Sequence, residues 1–275
     1  MFDKESYFIN QFIKSKYIGD DGAVVGDLVY SMDAFFEDVH FKRDWMSLKK
    51  IAQKSMLINI SDAIVMNAKP KYALLTVAIP SNFTKKELDE LASGFKKVAK
   101  EYNIEIIGGD TISNTKLDIS ITIISETKNP IYRTGTKKGD IICYTGELGT
   151  VKQDLDKLLS NKKIDKKSKF IKPILKPKFF YEISSYINSS MDISDGLFFE
   201  LGRLSKINKI GFDFYDDISK DVGCSGEEYE ILFSFYPKYK KKIDKIAKKH
   251  NIKLNFVGEA IKGEFICDCK SHHFK

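Results

Sequence analysis

The apolar positions of this chain follow two rhythms, one repeating every three to four residues and one alternating, and each switch between them marks an element. Helical spacing over residues 4–16 predicts an amphipathic opening helix. It gives way to "GDDGAVVGDLVYSMDAFFEDVHF", where alternating Val, Leu and Tyr around Gly26 and Asp27 predict a β-hairpin. "SLKKIAQKSMLINISDAIVMNAKP" predicts a long helix over 47–67 that stops before Pro70, with "KYALLTVAIP" as a buried strand behind it. "TKKE", Thr84 to Glu87, has the form of a capping box and predicts a helix running to Asn103. "IEIIGGDT" predicts a strand ending in a glycine pair, and "KLDISITIIS" alternates as the next strand.

The lysine-rich stretch 161–172 reads as an exposed connection, so a boundary is expected between "RTGTKKGD" and "KPILKP". Two domains follow, 1–135 and 136–275. In the second, helices are predicted over 177–188, 195–207 and 238–249, and strands over 211–215, 228–235 and 252–258. Helices and strands mixed without strict alternation predict an α+β fold.

Composition narrows the class. A chain of 275 residues, 43% hydrophobic and 30% charged, is a globular mixture, and no apolar run approaches a membrane span. The opening "MFDKESYFINQF" lacks the basic head and apolar core of a signal peptide, which makes a cytoplasmic protein the expectation. Four cysteines are too few and irregular for a disulfide framework, so reduced thiols are expected. Cys267, Cys269, His272 and His273 lie close in the tail, but their spacing fits no paired zinc pattern and a frayed polar tail is expected. The net charge is +7, yet the lysines alternate with apolar residues as solvated helix faces do, and no aromatic-interleaved basic patch points to nucleic acid.

The acidic residues are more informative. Asp20, Asp21, Asp33, Asp62, Asp110, Asp192 and Asp195 each border Gly, Ser or Thr at a predicted element end, where oxygen ligands can hold a hard cation. Any one alone is a normal cap or turn former; seven in similar settings are not. Asn59 and Asp62, three apart on one helix face, make a polar notch in an apolar stretch, which calls for a partner or an internal hydrogen bond. Gly108 and Gly109 permit close backbone approach to an anion, with Asp110 beside them. No Walker-type loop, GxGxxG or protein-kinase catalytic loop is present, so metals and carboxylates would carry any nucleotide chemistry.

"GDDGA", "SMDAFFEDVHF", "NISDAIVMNAKP", "IIGGDT", "RTGTKKGD", "YTGELG", "MDISDGL" and "SGEEYEILF" stand in the order and near the spacing of the thiamine-monophosphate kinase family. The chain resembles that family over nearly its whole length. The resemblance implies a two-domain aminoimidazole-ribonucleotide-synthetase-like fold, with an N-terminal mixed sheet that binds ATP and Mg²⁺ and a trimmed C-terminal α/β domain. It implies ATP-dependent phosphorylation of thiamine monophosphate to thiamine diphosphate with several Mg²⁺ ions, in a homodimer. By motif, Asp21, Ser31, Asp33, Asp62, Asp110, Asp192 and Asp195 match the metal set, and Gly109, Asp110, Arg133 and Ser194 the ATP contacts. His40 and Glu227 match contacts to the thiamine phosphate, and Asp62, Asp110 and Arg133 are the expected catalytic group.

Three departures stand out: Glu228 where the family has Asp, a chain shorter than is usual in the family after "YTGELG" and between "GFDFYDD" and "SGEEYE", which trims the second domain, and Ser271 where the family has an aromatic expected to stack on the substrate. Other readings are an aminoimidazole-ribonucleotide synthetase, a non-catalytic nucleotide-binding protein and a basic nucleic-acid binder. A selenophosphate synthetase is disfavoured, because the first cysteine is Cys143.

Overall fold

The computed structural model describes residues 4–12 and 15–269. His272, His273 and Ser271 lie outside the described residues. The first half contains α1 (Lys4–Asn10), β1 (Ala23–Val25), β2 (Leu28–Phe36), α2 (Leu48–Val65), β3 (Lys69–Pro80), α3 (Lys85–Tyr102), β4 (Glu105–Asn114) and β5 (Asp118–Glu126). Its five strands form one mixed sheet in the order β1-β2-β5-β3-β4, with β3 and β4 parallel and the other neighbours antiparallel. The hairpin turns at Gly26–Asp27, where Val25 pairs with Leu28 and Gly26 has φ +61°.

The second half contains β6 (Ile141–Thr145), α4 (Thr150–Leu159), α5 (Pro177–Ile183), β7 (Ser189–Asp192), α6 (Leu197–Asn208), β8 (Ile210–Phe214), α7 (Lys220–Gly223), β9 (Ile231–Phe235), α8 (Lys240–Lys249) and β10 (Leu254–Lys262). Its strands form an antiparallel sheet in the order β7-β9-β6-β10-β8. Helices packed on two sheets make the α+β architecture the pattern predicted.

One face of the first sheet packs on α2. That helix is buried on every side from Ile51 to Met66, so it is the core element joining both halves. The opposite face is bare: Tyr30, Met32 and Phe36 of β2 and Tyr72 and Leu74 of β3, each spaced two apart or a multiple of two, are exposed. On the edge strand β4, every residue from Glu105 to Ser113 is exposed, with Ile107 and Ile112 about half so.

Three expectations are corrected. The strand containing Gly108 and Gly109 does not end there but continues to Asn114, because Gly109 (φ +143°) lets β4 close on β3; a Cβ would stand 1.8 Å from the Leu75 carbonyl oxygen. The 161–172 connection is not wholly exposed: Phe170 and Ile171 are core residues, and Lys169 bridges Glu228 and Glu230 at 2.8 and 2.9 Å. Finally, Cys224 and Cys269 form a disulfide across 45 residues where reduced thiols were expected. Phe265 anchors the tail in an aromatic cluster with Phe198, Phe212 and Phe214, and so brings Cys269 beside α7. Cys143 and Cys267 are free.

Candidate active site

The seam between the halves is built from four short motifs. Asp62 lies on α2, Asp192 ends β7, and Asp21 sits in the loop before β1. Carboxylate oxygens of these three come within 4.8 Å of one another. Ser61 donates to Asp192 Oδ2 at 2.7 Å, tying α2 to the second sheet. Arg133 grips Asp21 through both ends of its guanidinium, Nη2 to Oδ1 at 2.6 Å and Nε to Oδ2 at 3.3 Å. Its backbone N–H donates to Asp20 at 2.6 Å.

Burial raises the pKa of Asp62 and of Asp192 well above the ordinary carboxylate range. The charges of Asp33, Asp192 and Asp21 push Asp62 further, and that of Asp21 pushes Asp192, which the Ser61 hydrogen bond partly offsets. Arg133 is also buried, which by itself weakens its hold on the proton, but the charge and hydrogen bonds of Asp21 outweigh that and leave it raised. One guanidinium does not balance three buried carboxylates. Hard oxygen donors, mutual proximity and a surplus of negative charge are what a Mg²⁺-type cation requires, so these residues fit one.

Asp33 lies on β2, and its charge acts on both Asp62 and Asp192. Its backbone N–H donates to Asn59 Oδ1 at 2.7 Å, while Asn59 Nδ2 donates to the Ser55 carbonyl and Ser31 Oγ to the Asn59 carbonyl. The polar notch on α2 is therefore divided: Asn59 stitches helix to strand, and Asp62 joins the acidic cluster. Asp195 accepts from Arg203 Nη2 at 2.6 Å, and its N–H donates to Glu200. Asp110 is exposed on the edge strand β4, where it accepts from the Thr111 N–H at 2.8 Å, and it does not belong to the trio.

The substrate-side residues have defined anchors. His40 Nδ1 accepts from the Phe36 N–H at 3.0 Å, with its ring against Phe35. Glu227 takes a left-handed backbone (φ +56°), donates its N–H to the Ser194 carbonyl at 2.6 Å, and pairs with Lys54 at 2.6 Å. Glu228 is buried beside it: Oε1 accepts from the Gly149 N–H at the start of α4 and from Ser225 Oγ, and Oε2 from Lys169. This carboxylate caps the start of α4, where it also accepts from the Val151 N–H at 3.4 Å.

Sequence reasoning missed Lys54, Glu200 and Arg203. Glu200 and Arg203 sit three apart on α6 and signal a helix ion pair. Lys54 lies between Gln53 and Ser55 and four residues after Lys50, so its local sequence reads as a solvated helix face and gives no sign of its burial.

Residues 19–127 match the family described as AIR synthase related protein, N-terminal domain. The chain is 32% identical over 238 residues to the thiamine-monophosphate kinase of Nitrosopumilus maritimus, covering 80% of this chain and 77% of the relative. It is 32% identical over 272 residues to the thiamine-monophosphate kinase of Buchnera aphidicola subsp. Schizaphis graminum, covering 88% and 84%. A solved structure of AaThiL complexed with AMPPCP and TMP superposes with a TM-score of 0.86 over 100% of this chain and 99% of that one; at 23% identity, that likeness speaks for the fold.

Proposed function

Because the chain belongs to the thiamine-monophosphate kinase family, we propose that it transfers the γ-phosphoryl of ATP to the phosphate of thiamine monophosphate, giving thiamine diphosphate and ADP. This is the last step in making thiamine diphosphate. The observation that carries the reading is the buried Asp21, Asp62 and Asp192 trio at the seam, with its surplus of negative charge.

The acceptor is a phosphate monoester, mostly dianionic at neutral pH because its second pKa is about 6, so it needs no general base. The obstacle is repulsion between two polyanions. Asp21, Asp62 and Asp192 are assigned as the central ligands of several Mg²⁺ ions, with Ser31, Asp33, Asp110 and Asp195 completing the set. Magnesium bound there supplies charge neutralisation and alignment for in-line transfer. Asp62 and Asp110 hold the reacting centre, and Arg133 presents its guanidinium to ATP while keeping Asp21 in place. Gly109 and Ser194 face the nucleotide, and His40 and Glu227 receive the thiamine phosphate. Residues 1–135 form the ATP- and Mg²⁺-binding domain, and 136–275 the C-terminal domain.

A second copy covers the bare face of the first sheet and the unpaired edge of β4, making a homodimer. Exposed Tyr30, Met32, Tyr72, Leu74 and Ile112 support this, since a long apolar edge left uncovered invites uncontrolled pairing. The protein works in the cytoplasm; no helix among the described residues is long and apolar enough to cross a membrane.

The test uses ATP labelled in its γ-phosphoryl with thiamine monophosphate and, separately, other phosphate monoesters as acceptors. Label is expected in thiamine diphosphate. Label in another acceptor alone, or in none, contradicts the reading.

A further inference from the structure

Lys54 has 0% exposure, and the desolvation of a buried ammonium is severe unless a partner repays it. The partner is Glu227, whose Oε2 lies 2.6 Å from Lys54 Nζ across 173 residues of chain. Two rings close the ammonium in: the Phe170 centroid is 4.3 Å away and that of Phe35 5.5 Å. Lys54 stands seven residues before Ser61, so both lie on one face of α2. One helix face thus reaches two points of the second half, Lys54 holding Glu227 in the loop before β9 and Ser61 holding Asp192 at the end of β7. Glu227 is a quarter exposed, and its Oε1 takes no hydrogen bond among the described residues.

We propose that Lys54 is a positioning residue for the phosphate acceptor. It clamps one oxygen of Glu227 and balances its charge, so that the other oxygen meets the acceptor as an aimed hydrogen-bond acceptor for an N–H donor. A free, mobile carboxylate would act instead as a loose counter-ion to any cation. The proposal rests on the assignment of Glu227 to the thiamine phosphate.

Steady-state kinetics with ATP and thiamine monophosphate varied separately test it, on full-length wild type, Lys54→Met, Glu227→Gln and the double variant. The expected result for Lys54→Met is a KM for thiamine monophosphate raised about tenfold, with kcat and the KM for ATP within about twofold of wild type. In the Glu227→Gln background, Lys54→Met adds less than about twofold, because Lys54 acts only through Glu227. This comparison decides the matter even where Lys54→Met alone fails to fold, since in Glu227→Gln the amide oxygen still accepts from the Lys54 ammonium and the double variant leaves no buried charge at this pair. An unchanged KM for the acceptor, a fall confined to kcat, or a double variant several-fold worse than Glu227→Gln overturns the proposal. A wild type that forms no thiamine diphosphate overturns the underlying assignment, and the proposal with it.

Discussion

Ser61 on α2 donates its hydroxyl proton to Asp192 at the end of β7, 2.7 Å away across 131 residues of sequence. Both groups are buried, and the bond joins the carboxylates of the two halves into one cluster. Each half alone presents an incomplete site.

Replacing Ser61 by Ala removes the side-chain hydrogen bond that favours the charged form of Asp192 and leaves that charge opposed by burial and by the neighbouring acids. Outer partners of metal ligands typically contribute 10- to 100-fold in metal affinity, so Ser61→Ala is expected to need roughly tenfold more Mg²⁺ for half-maximal turnover. Titrating Mg²⁺ against initial rate checks it; a superimposable Mg²⁺ curve would show that the bond does not order the ligand.

The raised pKa values of Asp62 and Asp192 set a pH dependence in the metal-free protein. Asp62 and Asp192 titrate above 3.8, first because they are buried. From the ordinary carboxylate value up to their raised values, the folded chain therefore keeps protons that the unfolded chain has lost. Over that window stability falls as pH rises. Asp62→Asn removes one of the two groups, so in EDTA its melting temperature should gain on wild type as the pH rises above the ordinary carboxylate value of about 4, and Mg²⁺ should narrow or reverse the gap. A difference constant with pH would contradict the buried-charge account.

The glycine pair separates backbone necessity from anion binding. A methyl at Gly109 would meet the Leu75 carbonyl oxygen at 1.8 Å, whereas one at Gly108 would meet only the end of the Leu74 side chain at 3.4 Å. Gly109→Ala should cost about 3 kcal/mol or more, and Gly108→Ala about 1 kcal/mol or less, by denaturant unfolding. Equal losses would mean that β4 does not close on β3 as described.

How much of this was legible depends on how local the signal is. The Thr84–Glu87 capping box and the Gly26–Asp27 turn are written within four residues, and both form. The acidic motifs could be found singly, but that Asp21, Asp62 and Asp192 meet while Asp110 stays on an exposed edge depends on pairing across the whole chain. β6 and β7, five and four residues long and buried on both faces, lack the alternation that reveals a strand. The same holds for the Cys224–Cys269 bond, which depends on the path of the tail over α6 and not on any spacing.

That bond gives its own check. Peptide mapping without reductant should recover Cys224 joined to Cys269, while alkylation of the folded protein modifies Cys267 and spares the fully buried Cys143. Alkylated Cys269 in unreduced protein would show the tail to be free.

The central claim is that the Asp21, Asp62 and Asp192 cluster makes phosphoryl transfer to thiamine monophosphate possible. The most direct test follows thiamine diphosphate formation from ATP, Mg²⁺ and thiamine monophosphate by chromatography, for wild type and Asp62→Asn, with circular dichroism showing both folded. Product from wild type and a rate at least about 100-fold lower in Asp62→Asn is the predicted result. A variant that keeps the wild-type rate, or a folded wild type that yields no thiamine diphosphate, would contradict it.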